Sequence, residues 1–310
     1  MKSWPVVMRL LLTLLCATLI IAGAPGSAAA KAPGANGRIA FDRNQGEALV
    51  TIQPDGSGEQ TLFTPGCCPR WSPDGRQLVF PWLTADEIFT SAIANRDGTG
   101  LRVLPAAGPS LNADGGVFLP DGATIAVGGW DETDATRNGI YLRRASDGGG
   151  VTLVTRNPTG ARDQIADVSP DGGRIAFIRY DSRRQGERAL FVVGRDGSAL
   201  HRVTPWGMAG CCTASWSPDG RWILFDARSN LYVVRPDGSD LRQIVLHSGS
   251  RHWAFEPAWS PDGTRIVFSM YVLALGQDDI YTARADGSDL VQVTNTPEHE
   301  GQVDWGAAVP

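Results

Sequence analysis

Apolar residues along this chain come in short runs, each closed by a polar turn of nearly constant spelling. RQLVF, GRIAF, RWILF and TRIVF follow a Pro-Asp-Gly at residues 76–80, 173–177, 221–225 and 264–268. Such runs predict strands, because a helix would have to sustain an apolar stripe over roughly 10–12 residues. After a variable stretch comes a second run, GIYLRRA, ALFVVGR, NLYVVRP or DIYTARA, and then another Asp-Gly. These second turns stand at Asp55, Asp97, Asp147, Asp196, Asp237 and Asp286, each followed by a short final strand such as LRVLP, VTLVT, LHRVT or LVQVT. Pro presets φ at the second turn position, while Asp and Gly tolerate the tight bend, so both turn types mark hairpins rather than active-site loops.

The first turn reads WSPDG at 71–75, 216–220 and 259–263, FLPDG at 118–122 and VSPDG at 168–172. Its start-to-start spacings are 47, 50, 48 and 43, and Trp305 in QVDWG follows Trp259 by 46. A period of roughly 45 residues carrying four strands is one propeller blade. The array opens near Gly37 with GRIAF, a second strand lacking its first, and ends at 303–306 with a first strand lacking its sequel. The two ends complete one blade. An all-β, six-bladed β-propeller closed by pairing of its N- and C-terminal strands is therefore predicted, with no open sheet edge. Trp71, Trp216, Trp259 and Trp305, with Phe118 and Val168 in the same position, read as packing between adjacent blades.

These residues resemble the TolB-like β-propeller repeat, a WD-type family whose signature is the WSPDG turn, an apolar second strand and a third strand ending in Asp-Gly. The resemblance covers about residues 37–306 and is specific for fold. It implies a stand-alone propeller scaffold, without the α/β domain that precedes the propeller in TolB or the hydrolase domain of the related oligopeptidases. Any chemistry must then be sought in the loops.

Residues 1–30 read as a secretory signal: Lys2 and Arg9 are its positive end, Leu10 to Ala24 its apolar run, and Ala28-Ala29-Ala30 its cleavage site. The run is shorter than the ~20 residues of a spanning helix, so no membrane span is expected after cleavage. That leaves 31–36 as a short linker, 37–306 as the propeller and 307–310 as a tail, in a monomer that is secreted or periplasmic. Without Lys2 and Arg9 the balance is 26 basic to 33 acidic residues, and no concentrated basic face is available for phosphate, which excludes nucleic acid as a partner class. G-x-S-x-G, H-E-x-x-H, P-loop and C-x-x-C motifs are absent.

The stereotyped turns share one face, and the variable connections occupy the other, where function usually sits on a rigid scaffold. Trp82, Trp130, Trp206 and Trp253 fall in those variable stretches and form the candidate ligand-binding set. The loop at 269–279, SMYVLALGQDD, adds apolar surface. Two vicinal cysteine pairs, Cys67-Cys68 and Cys211-Cys212, precede the inner strands of blades 2 and 5 on opposite sides of the axis, and join the candidates. Disulfides within each pair, Cys67-Cys68 and Cys211-Cys212, are expected of an exported protein. Bridges across the channel, or reduced thiols holding a soft metal, are the alternatives.

His252, Trp253 and Glu256 before blade 6 neighbour Glu298, His299 and Glu300 before the closing strand. Two imidazoles and several carboxylates have the chemistry of a divalent metal site or of an acid and base. TPEHEGQVDW also reads as an ordinary linker of these repeats, and neither metal nor cofactor is predicted. The function expected is non-catalytic binding of a protein or extended ligand at the variable face. Two other readings share the sequence: a propeller hydrolase or lyase acting on a polymer such as a polysaccharide, with His252, Glu256, Glu298 and His299 as its weak catalytic candidates, and a structural subunit of an envelope assembly.

Overall fold

The computed structural model describes residues 34–210, 213–246 and 251–309. They form six antiparallel sheets, one per repeat, arranged as a β-propeller. In blade 2 the order from the channel outward is Arg70–Trp71, Gln77–Leu83, Phe89–Asn95 and Arg102–Val103. Blade 3 departs from the pattern. Its inner strand is interrupted at Gly115-Gly116 into Asn112–Ala113 and Val117–Phe118, both paired with Thr124–Trp130. The chain ends meet in blade 1, where Glu300–Ala307 is the inner strand against Asn36–Arg43, with Ile39 opposite Trp305. Trp305 Nε1 donates to the Gly37 carbonyl at 3.0 Å.

Local chemistry explains the turns. In the first turn type the Ser72 hydroxyl donates to Asp74 Oδ1 at 2.6 Å and accepts from the Gln77 N–H at 2.9 Å, so side chains replace the hydrogen bonds the bend removes from the ladder. Gly75 adopts φ +68°, and a Cβ there would stand 2.1 Å from the Ala307 carbonyl oxygen, which leaves glycine alone acceptable. In the second type the Asp carboxylate takes both the N–H and the hydroxyl of the residue two positions on, as Asp237 does with Ser239 at 2.9 and 2.7 Å.

The blades are fastened to one another by the residues at the inner-strand ends. Trp71, Trp216, Trp259 and Trp305 are all buried, as are Phe118 and Val168, in apolar clusters that join successive blades. Burying Phe118 or Val168 contributes about 1.5–3 kcal/mol each. Their backbones are tied as well. The residue before Trp305, Val168 or Trp216 accepts the Trp N–H of the next blade: Asp304 from Trp71 at 2.9 Å, Asp167 from Trp216 at 2.6 Å, and Ser215 from Trp259 at 3.2 Å.

The variable face differs from expectation in one respect. Trp82, Trp130 and Trp253 are strand residues, at the ends of Gln77–Leu83 and Thr124–Trp130 and the start of His252–Trp259. Pairing continues past the repeated apolar core because neighbouring strands stay in register there, Trp82 opposite Thr90 and Trp253 opposite Tyr271. The signal at 1–30 and Cys211-Cys212 lie outside the described residues.

Candidate functional site

The channel end on the variable face is built by a repeated backbone irregularity. Cys68, Glu256 and Gln302 each stand three residues before an inner-strand Trp, and their φ values are +54°, +53° and +52°. Register shifts bracket Glu256 and Gln302, so both sit in bulges of the strand. A non-glycine residue in the left-handed region costs roughly 1–2 kcal/mol. What the conformation achieves is to turn each N–H out of the ladder onto a carboxylate: Cys68 onto Asp42, Glu256 onto Asp226, and Gln302 onto Glu256.

Asp42 and Asp226 are buried and Glu256 is half-buried. Burial pushes Asp42 well above the usual carboxylate range, with the nearby Glu256 charge adding to it. Burial likewise raises Glu256, brings Asp226 to about 7, and brings Asp114, whose Oδ1 accepts the Gly128 N–H at 2.8 Å, to about 8. Arg70 is the buried cation among them. Its Nη1 donates to the Pro69 and Val303 carbonyls at 3.0 and 3.1 Å, while Nε and Nη2 make no hydrogen bond among the described residues.

The expected His and Glu constellation is divided among separate partners. His299 Nδ1 pairs with Asp278, which lifts the imidazole above its ordinary value against the opposing effect of burial. Glu256 also accepts from the Gln302 side-chain amide. Glu298 and Glu300 both contact Arg43, at 3.3 and 2.7 Å, and Glu300 further accepts from Thr294 and Thr296. His252 stands opposite Val272 on the next strand.

Nor do the four tryptophans form a ring. Trp130 is buried beneath Arg162, 4.7 Å over its ring, and beside Phe89. Trp82 and Trp206 are half-buried against Phe80 and Phe191 of their own blades. Trp253 is 47% exposed and stacks on Tyr271 at 5.4 Å. Cys67 and Cys68 carry free thiols, so the bridge expected within this pair is not formed, and their sulfurs lie with an Asp42 oxygen in one group, all within 4.8 Å of one another.

Asp42, Arg70, Asp114, Asp226 and Asp278 escaped the reading of the sequence. A signal existed for two of them. The residue after the Phe (Val127 in blade 3) that recurs in the second strand is acidic only in blades 1 and 5, Phe41-Asp42 and Phe225-Asp226, where other blades carry Pro81, Gly128, Ile178 and Ser269. A carboxylate at a position that is otherwise non-ionising marks the buried acids.

No family model matches the chain. In sequence it is similar to the uncharacterized protein Atu1656 of Agrobacterium fabrum, 29% identical over 207 residues, which are 66% of this chain and 65% of that protein. It is also similar to a protein TolB homolog of Chlorobium luteolum, 32% identical over 127 residues, 40% of this chain and 27% of that one. It is a six-bladed β-propeller, similar in sequence to TolB homologs. The chain spans less than two thirds of either relative. Among solved structures, a putative TolB from Agrobacterium tumefaciens overlays with a TM-score of 0.62 at 19% identity, covering 88% of this chain and 99% of that one. An oligogalacturonate lyase in complex with manganese overlays with 0.55 at 16% identity, covering 86% and 75%. Identities this low establish the shared propeller fold alone. Among the described residues, no helix of this propeller is long and apolar enough to cross a membrane.

Proposed function

We propose that this TolB-like propeller is exported by way of residues 1–30 and binds a protein or extended ligand at its variable face, without catalysis. The observation that carries the reading is the inner edge of blade 6. There Trp253 stands exposed on Tyr271 beside the channel, and the hairpin above adds exposed Leu273 and Leu275. An aromatic anchored on a second ring, with leucines alongside, offers rigid apolar area at little entropic cost to a partner. Similarity to a Tol-Pal system protein TolB of Anaeromyxobacter dehalogenans, 31% identical over 125 residues, favours a protein as that partner.

The side chains that an enzyme would draw on are committed elsewhere: His299 to Asp278, Glu256 to Gln302, and Glu298 and Glu300 to Arg43. Photo-crosslinking residues placed at Trp253 and Leu275, and at Asp237 on the turn face, test the proposal in cells exporting the full chain. An adduct of one defined mass at 253 and 275, absent at 237, is the expected result. An adduct confined to 237, or turnover of a glycan or peptide that His252→Ala or His299→Ala abolishes, would overturn it.

A further inference from the structure

We propose that Asp42, Cys67 and Cys68 form a binding site for one thiophilic divalent cation, of the zinc class, at the variable-face end of the channel. The argument starts from the donor set. Two sulfurs and a carboxylate oxygen lie within 4.8 Å of one another. Donors around a tetrahedral zinc ion with bonds of about 2.0–2.3 Å stand roughly 3.5–3.8 Å apart, so a small inward shift of flexible side chains completes the set. Thiolate donors select zinc or a softer ion over magnesium or calcium.

The backbone prepares the site from two blades. Asp42 is the penultimate residue of Asn36–Arg43, the second strand of blade 1, and the cysteines precede the inner strand of blade 2. The left-handed conformation of Cys68 sends its N–H to the Asp42 carboxylate, so the hydrogen bond that orients the oxygen also fixes the pair beside it. Asp42 is 4% exposed, so burial disfavours its charged form, and a bound cation would compensate the carboxylate there. A divalent ion would neutralise the carboxylate and one thiolate. The charge left over falls under the field of Arg70, which acts on both Asp42 and Cys68 and has Nε and Nη2 without hydrogen bonds among the described residues.

Disulfide formation within the pair competes poorly with this chemistry. Neighbouring Cα atoms stand about 3.8 Å apart, whereas unstrained disulfides want roughly 4.4–6.8 Å. Three protein donors leave a fourth position on the metal for water or for a group of the bound partner. The site requires both cysteines reduced, and it releases their protons on metal uptake.

The full chain carrying Cys211→Ser and Cys212→Ser, which removes the other pair, is the protein to test. Native mass spectrometry with added Zn²⁺ should show one ion per chain, and Co²⁺ should give a sulfur-to-metal charge-transfer band with tetrahedral visible absorption. Adding Cys67→Ser and Cys68→Ser should abolish binding, and Asp42→Asn should weaken it at least tenfold, with melting curves checking that each variant folds. Zinc held equally well without these cysteines, Asp42→Asn binding as tightly as its parent, or a Co²⁺ spectrum lacking the sulfur band would each refute the site. So would alkylation showing no free thiol at 67 and 68 in protein isolated without reductant. Should the cysteine variants fail to fold, the Co²⁺ spectrum and the Asp42→Asn titration decide the matter.

Discussion

The two faces of this propeller use the same residue, aspartate, to opposite electrostatic ends. On the turn face Asp55, Asp97, Asp196, Asp237 and Asp286 are exposed, and each is held below the ordinary carboxylate range by the hydroxyl and N–H of the Ser or Thr two residues on. On the channel side Asp42, Asp114, Asp226 and Glu256 are held above it by burial. Turn acids satisfy their backbone locally and would do so in any repeat. Asp42, Asp226 and Glu256 depend on N–H groups delivered by a neighbouring blade, and Asp114 Oδ2 and Asp226 Oδ1 make no hydrogen bond among the described residues. Saturated, repetitive chemistry marks the scaffold, and unsaturated, singular chemistry marks the face open to ligands.

The largest expected effect breaks the scaffold itself. Deleting residues 301–310 removes the inner strand of blade 1 with Asp304 and the buried Trp305, leaving the edge of Asn36–Arg43 unpaired. Cooperative melting should be lost, as followed by near-ultraviolet circular dichroism. A truncated chain melting like the parent would mean that the ring does not depend on its closing strand.

Next comes the pH dependence that the contrast requires. A carboxyl whose folded value lies above its unfolded one binds more protons when folded. Its contribution to stability is therefore complete below about pH 4 and is lost as pH rises through the folded value. For Asp114, at about 8, the decline spans weakly acidic to slightly basic solution, with a slope of at most about 1.4 kcal/mol per pH unit. Turn acids run the other way, contributing above about pH 4 and losing that contribution in stronger acid. Asp114→Asn should flatten the decline and stabilise the protein near pH 8, as chemical denaturation at several pH values would show. A profile parallel to the parent's would disprove the assignment to Asp114.

A smaller loss is expected where a blade-to-blade tie is cut. Asp167→Ala strands the buried Trp216 N–H, at a cost of about 1–3 kcal/mol measured by denaturant titration. An unchanged midpoint would show that the inner aspartates are not ties. Smallest of all is the turn face. Asp237→Ala removes one of many redundant local bonds and should move the melting temperature by no more than about 2 °C. A shift larger than that of Asp167→Ala would invert the comparison between the faces.

The repeat by itself determined the blade number, the hairpins and the closure of the ring. Each WSPDG or Asp-Gly turn carries its own glycine, proline and capping acid, so its geometry is written in adjacent residues. Packing of Trp71, Trp216, Trp259 and Trp305 between blades was legible for the same reason, since one position recurs at a fixed period. The channel was not legible in this way. Asp42 meets Cys68, and Glu256 meets Gln302 and Asp226, only because bulges in one blade aim their N–H groups at acids that are remote in sequence. The expected grouping of His252 with His299, and of four tryptophans around one mouth, rested on neighbouring loops. Strand pairing instead carried Trp82, Trp130 and Trp253 into the sheets, and Asp278 and Arg43 took up His299, Glu298 and Glu300. Local sequence sets turns because they are closed by residues a few positions apart, whereas a site assembled from single residues of different blades exists only once the ring has brought them together.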